Sequence, residues 1–61
     1  MKKKFITTNN TYFLRQPINV KYTIVERISH VTEVITEAII DKNVEDVTRE
    51  DVLNLDFCYQ Y

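Results

Sequence analysis

The chain has 61 residues, with no Gly, one Pro, one Cys and one His, and a net charge of −1. That length allows a single domain, residues 1–61, which buries only roughly 60% of the surface its unfolded chain exposes. One Cys and one His exclude an internal disulfide and a closed zinc site, so the expected staple is a second subunit or a partner protein.

The near-neutral total conceals two halves of opposite charge. Residues 1–25 carry Lys2, Lys3, Lys4, Arg15 and Lys21 and no acidic residue, whereas residues 26–61 carry all nine acidic residues against three basic ones, a net of −6. Charge patterning of this kind matters more than the sum. The leading lysines are followed by no apolar stretch of leader length, and the longest apolar runs span about three residues, so neither a signal peptide nor a membrane span is expected.

In chain order, "KKFITTNNTYFLRQ" predicts a β-hairpin turning on Asn9-Asn10, because Asn tolerates the left-handed backbone of a two-residue turn. This register sets Ile6 opposite Phe13 and Phe5 opposite Leu14, with Pro17 interrupting the second strand. "INVKYTIVERI" alternates, with Ile18, Val20, Tyr22 and Ile24 on one face, and predicts a third strand over 18–26. Its rival is a helix starting at Thr23 with Glu26 as capping-box partner.

Residues 30–42 match a helical template: Val31, Val34, Ile35, Ala38 and Ile39 fall on one face, Ser29 is placed to cap, and Lys42 and Asn43 are placed to end the helix. The β-branched composition opposes a helix and leaves open a strand hairpin turning near Ser29-His30. Thr48 is expected to cap a helical turn with Glu50 and Asp51 at its positive end. Residues 52–60 alternate again, with Leu53, Leu55, Phe57, Tyr59 and Tyr61 on one face, and predict a C-terminal strand. The expected fold is therefore a small two-layer α+β domain: an N-terminal β-hairpin plus third strand, one helix at about 30–42 and a C-terminal strand at about 52–60.

Three candidate sites follow. On a helix, His30, Glu33, Glu37 and Asp41 would form one stripe, which Glu45, Asp46 and Glu50 extend into an acidic partner-binding face. Phe57, Tyr59 and Tyr61 on the last strand have the chemistry of interface anchors. Lys2, Lys3, Lys4 and Arg15, interleaved with Phe5, Tyr12 and Phe13, combine positive charge with stacking surfaces as single-stranded nucleic-acid binders do.

No Gly-rich phosphate loop, metal-ligand set or nucleophile–base pair is visible, so no catalytic residue, metal or cofactor is assigned. The function expected is a non-enzymatic protein-interaction module. Lys, Asn, Ile and Tyr outnumber Gly, Ala and Pro, as in AT-rich coding sequences, which suggests a phage- or plasmid-type modulator or inhibitor of a larger host protein. The alternative is a small nucleic-acid-binding regulator using the basic hairpin. Homodimerisation through an exposed sheet edge or a shared helix face, no membrane partner, and a reducing cytoplasmic setting for Cys58 complete the expectation.

Overall fold

The computed structural model describes residues 2–57. Four strands, β1 (Lys2–Ile6), β2 (Asn10–Arg15), β3 (Thr23–Ser29) and β4 (Ile35–Ile40), form one antiparallel sheet in the order β1-β2-β3-β4. A 3-10 turn (Val44–Asp46) and one short helix, α1 (Arg49–Leu53), follow. The class is α+β, but the helix and the last strand fall elsewhere than the sequence predicts.

The first hairpin forms two residues out of the expected register, with Ile6 opposite Thr11 and Phe5 opposite Tyr12. Thr7 explains the shift. Its backbone N–H donates to the Asn10 carbonyl at 2.8 Å, and its Oγ1 accepts the Asn10 N–H at 3.1 Å. The hydroxyl thus closes the loop over Thr8-Asn9 without a left-handed residue; among the described residues only Asn19 and Glu33 have positive φ. A shift of two preserves every side chain's face, because strand side chains alternate with period two.

The connection after β2 begins at Gln16-Pro17. Gln16 Nε2 donates to the Val20 carbonyl and to Asn43 Oδ1, both at 2.8 Å, and its Oε1 accepts the Val44 N–H at 3.0 Å. Asn19, at φ 68°, takes the left-handed position that the chain has no Gly to fill. The third strand starts at Thr23, not at 18, and Ile18 is left exposed. Its inward residues are Thr23 and Val25, both fully buried, which reverses the face expected from Ile24. Thr23 tolerates burial because its Oγ1 donates to the Lys42 carbonyl at 2.8 Å.

The helix predicted at 30–42 does not form; this segment is the turn into β4 and β4 itself. The rival hairpin near Ser29-His30 is the observed structure. Seven of the ten residues from 31 to 40 are β-branched, and pairing with β3 gives them the pleated environment they favour. The capping signal at Ser29 nevertheless has a counterpart. Ser29 Oγ accepts the N–H groups of Val31 and Thr32 at 3.2 Å each, and its carbonyl accepts the Glu33 N–H at 3.0 Å, as in a first helical turn. Glu33 then enters the left-handed region at φ 61° and reverses the chain. Asn43, expected as a left-handed helix end, is extended at φ −67°.

Thr48 caps α1 as expected. Its side chain accepts the Asp51 N–H, and the Asp51 carboxylate accepts the Thr48 N–H, forming a reciprocal capping box. The strand predicted at 52–60 is not found among the described residues: Val52 and Leu53 belong to α1, and residues 54–57 are irregular. Residues 58–60 of that prediction, with Tyr61, lie outside the described residues.

The core gathers Tyr12, Leu14 and Val25 from one face of the sheet with Val44, Val47, Val52 and Phe57 from the C-terminal segment. Phe5, Ala38, Ile40 and Leu55 pack around it. Residues 44–57 therefore cover one face of the sheet and leave the other open.

Candidate functional site

The alternation of four paired strands dictates what the open face carries. Reading across from β1 to β4, three rows result: Ile6, Thr11, Ile28 and Ile35 at the turn end; Lys4, Phe13, Glu26 and Glu37 in the middle; Lys2, Arg15, Ile24 and Ile39 at the far end. Ile6, Phe13, Ile35 and Ile39 are 55, 43, 59 and 61% exposed, a concentration of large apolar side chains that nothing among the described residues covers. Such patches on small proteins mark interaction sites.

Charge on this face is graded. Lys2 and Lys4 stand on β1 and Arg15 on β2, whereas Glu26 stands on β3 and Glu37 on β4. Glu26 and Glu37 are direct cross-strand partners, a like-charge pairing that destabilises on its own. Arg15 offsets it, with Nε 3.4 Å from Glu26 Oε1 and Nη2 3.8 Å from Glu37 Oε2. These are surface ion pairs, each worth at most about 1 kcal/mol. Beside them Lys4 Nζ lies 5.9 Å from the Phe13 ring centre, and a shallow groove of about 470 Å³ runs between Lys2, Lys4, Phe13, Arg15 and Glu26.

The sequence-predicted sites are redistributed by the pleat. Of the basic and aromatic set, Lys2, Lys4, Phe13 and Arg15 share the open face. Lys3 points to the covered side, where its Nζ donates to the Val47 carbonyl at 2.7 Å and sits 5.6 Å from the Phe5 ring centre. Tyr12 and Phe5 belong to the core or its margin. Phe57 is also buried, 6.1 Å from the Tyr12 ring centre and 4.3 Å beneath the Arg27 guanidinium, so it closes the core and is no exposed anchor. Tyr59 and Tyr61 lie outside the described residues.

The acidic stripe has no helix to carry it. Glu33 sits in the β3–β4 turn and Asp41 just beyond the other end of β4, with Glu37 alone on the open face between them. Glu45 and Asp46 stand on the 3-10 turn and Glu50 in the first turn of α1. His30 is engaged with the first hairpin: Nε2 lies 2.6 Å from Thr11 Oγ1 and Nδ1 3.3 Å from the Thr8 carbonyl. Among the described residues no cluster of three His, Cys, Asp or Glu side chains is placed to hold a metal ion.

One acid is strongly perturbed. The Thr48 backbone N–H and then the Lys42 ammonium, 3.0 Å from Oδ2, hold the Asp51 carboxyl down at about 2. This contact ties the end of β4 to α1, away from the open face.

The residues that sequence patterning missed are Ile6, Ile24, Glu26, Ile28, Ile35 and Ile39. The available signal was period two within "ITEAII", which separates Ile35, Glu37 and Ile39 from Thr36, Ala38 and Ile40. No helix among the described residues is long and apolar enough to cross a membrane. Comparison of the chain with protein-family models, with curated proteins and with solved structures finds no match.

Proposed function

We propose that the chain is a non-enzymatic protein-interaction module whose contact surface is the open face of the sheet. The observation that carries this proposal is the exposure of Ile6, Phe13, Ile35 and Ile39 on one face, interspersed with charges of both signs. Phe13 stands in the middle row between Lys4 and Glu26, and Ile6, Ile35 and Ile39 stand at three corners, so exposed apolar surface and charge of both signs alternate across the face. A modulator or inhibitor that meets a basic host surface through Glu33, Glu37, Asp41, Glu45, Asp46 and Glu50 fits less well, because these carboxylates are spread over a turn, a strand and two helical segments. A cytoplasmic setting belongs to the same proposal, since it keeps the lone Cys58 reduced.

Site-specific photo-cross-linking tests it. A photoreactive residue replacing Ile39 is expected to form a protein adduct in native-host cells, whereas the same residue replacing Lys21, in the β2–β3 connection, is not. Equal adduct yields from the two positions would sink the open-face surface.

One observation favours a second function: Lys2, Lys4 and Arg15 surround Phe13, as in a site where a base stacks and phosphates are neutralised. The pairing of Arg15 with Glu26 and Glu37 works against it. It requires low-salt binding of a single-stranded oligonucleotide that is lost in Lys2→Ala/Lys4→Ala and kept in Lys3→Ala. Binding insensitive to salt and to Lys4 would eliminate it.

A further inference from the structure

We infer that the open face takes a second copy of this chain, packed sheet to sheet about a twofold axis that runs parallel to the strands. The inference rests on the open face being a protein-contact surface and names its occupant.

The symmetry follows from the charge gradient. Two identical sheets stacked face to face are related by a twofold axis lying between them, and aligned packing sets that axis either along the strands or across them. An axis across the strands sets β1 over β1 and β4 over β4, so Lys4 in the middle row meets its own copy, as does Glu37. An axis along the strands sets β1 over β4 and β2 over β3 of the second copy. Basic then meets acidic at both edges.

The rows are unchanged by this operation, so the pairings follow from the strand register. Ile6 faces Ile35, Lys4 faces Glu37, Lys2 lies by Ile39, Thr11 lies by Ile28, Phe13 covers the stem of Glu26, and Arg15 covers Ile24. Each contact occurs twice. The four exposed apolar side chains are all covered, Lys4 gains a carboxylate, and Glu37 gains a second cation besides Arg15. Natural sheets pack in this aligned manner, about 10 Å apart, with side chains interdigitating.

The footprint sets the strength. Four strands about 4.8 Å apart, each rising about 3.3 Å per residue over six residues, project to roughly 400 Å² per copy. Over both copies that is roughly 800 Å², below the roughly 1,200 Å² at which stable specific interfaces begin, so association is weak and reversible.

The experiment uses sedimentation equilibrium on the full chain, wild type, Lys4→Glu and Glu37→Lys, from low to high micromolar concentration. The wild type is expected to self-associate, and each single variant to do so about tenfold more weakly, because like charges then face each other twice. An equimolar mixture of the two variants should recover wild-type association. In the mixed pair, the two substituted positions face each other with opposite charge, and so do the two unsubstituted ones. Both positions are exposed, and Glu37→Lys exchanges the ion pair with Arg15 for one with Glu26, so unchanged circular dichroism and melting keep folding out of the comparison.

A wild type that stays monomeric overturns the inference, as do single variants that associate normally or a mixture that does not recover. Association that depends on Glu37 and ignores Lys4 also overturns it and assigns the contact to the β4 edge instead. Should the Ile39 cross-linker capture a different protein while the chain sediments as a monomer, the interaction surface stands and the second copy falls. If it captures nothing, both fall.

Discussion

The two faces of the sheet carry similar apolar content and opposite fates. The covered face presents Phe5, Tyr12, Leu14, Val25, Ala38 and Ile40; the open face presents Ile6, Phe13, Ile24, Ile28, Ile35 and Ile39. Hydrophobicity alone does not choose between them. Charge does. The open face holds Lys2, Lys4, Arg15, Glu26 and Glu37, whereas the covered face holds two cations, Lys3 and Arg27, each placed over an aromatic ring and hydrogen-bonded to an oxygen. A face becomes core when its few polar groups can be satisfied locally. The other face, with five charges, can be covered only by a surface that answers them.

The largest test of this contrast compares Leu14 with its neighbour Phe13. Leu14 is 1% exposed, and Leu14→Ala should cost about 2–5 kcal/mol. That is most of the roughly 3–9 kcal/mol expected for a chain of this size. Phe13→Ala, one residue away and 43% exposed, should shift a urea midpoint at low protein concentration by no more than about 0.5 kcal/mol equivalent. Comparable losses would erase the distinction between the faces.

Next in size is Thr23→Val. The shape is kept, but the Lys42 carbonyl loses the hydroxyl that donates to it, at a cost of about 1–2 kcal/mol. Unchanged stability in denaturant would mean that Thr23 is buried for its shape and not for its bond.

Acid should loosen the capping box of α1. The Asp51 carboxyl sits at about 2 in the fold, below its ordinary 3.8. A lowered folded value means that the contribution is fully present above 3.8 and is lost as pH falls from there toward 2. Thermal melts of the wild type should therefore drop over that window, and Asp51→Asn should flatten the drop while lowering stability near neutral pH. A wild-type profile that Asp51→Asn leaves unchanged would remove the capping box as the acid-sensitive staple.

What the sequence revealed divides along the same physical lines. The first hairpin was legible because its face assignment survives a two-residue register shift, and the Thr48 cap because capping is local chemistry. The segment 30–42 was misleading because Ser29 does begin a turn of helix, and the apolar residues of a strand hairpin with one open face happen to recur at helical spacing. Only long-range pairing with β3 decides between the two. Residues 18–26 failed for a related reason: the buried face is defined by Thr23 and Val25, and a buried threonine is recognised by its partner at Lys42, which lies 19 positions away. The open face depends on Ile35, Glu37 and Ile39 alternating as a strand, and a helix over 30–42 would turn Glu37 away from Ile35 and Ile39.

The smallest expected effect concerns the two left-handed positions. Asn19 at φ 68° and Glu33 at φ 61° perform the same backbone task in a chain without Gly, one with the residue suited to it and one without. A side chain with a Cβ is crowded there by its own carbonyl, at a cost of roughly 1–2 kcal/mol that Asn partly recovers by local hydrogen bonding. Glu33→Asn should therefore stabilise the fold by about 0.5–1 kcal/mol, and Asn is a better choice than Gly because it does not loosen the unfolded chain. Asn19→Ala should move stability the other way by a similar amount. Glu33 lies in the turn, outside the three rows of the open face, so a tighter β3–β4 turn should raise the melting temperature without altering self-association. A gain in association from Glu33→Asn would show instead that the turn, and not the face, sets the contact.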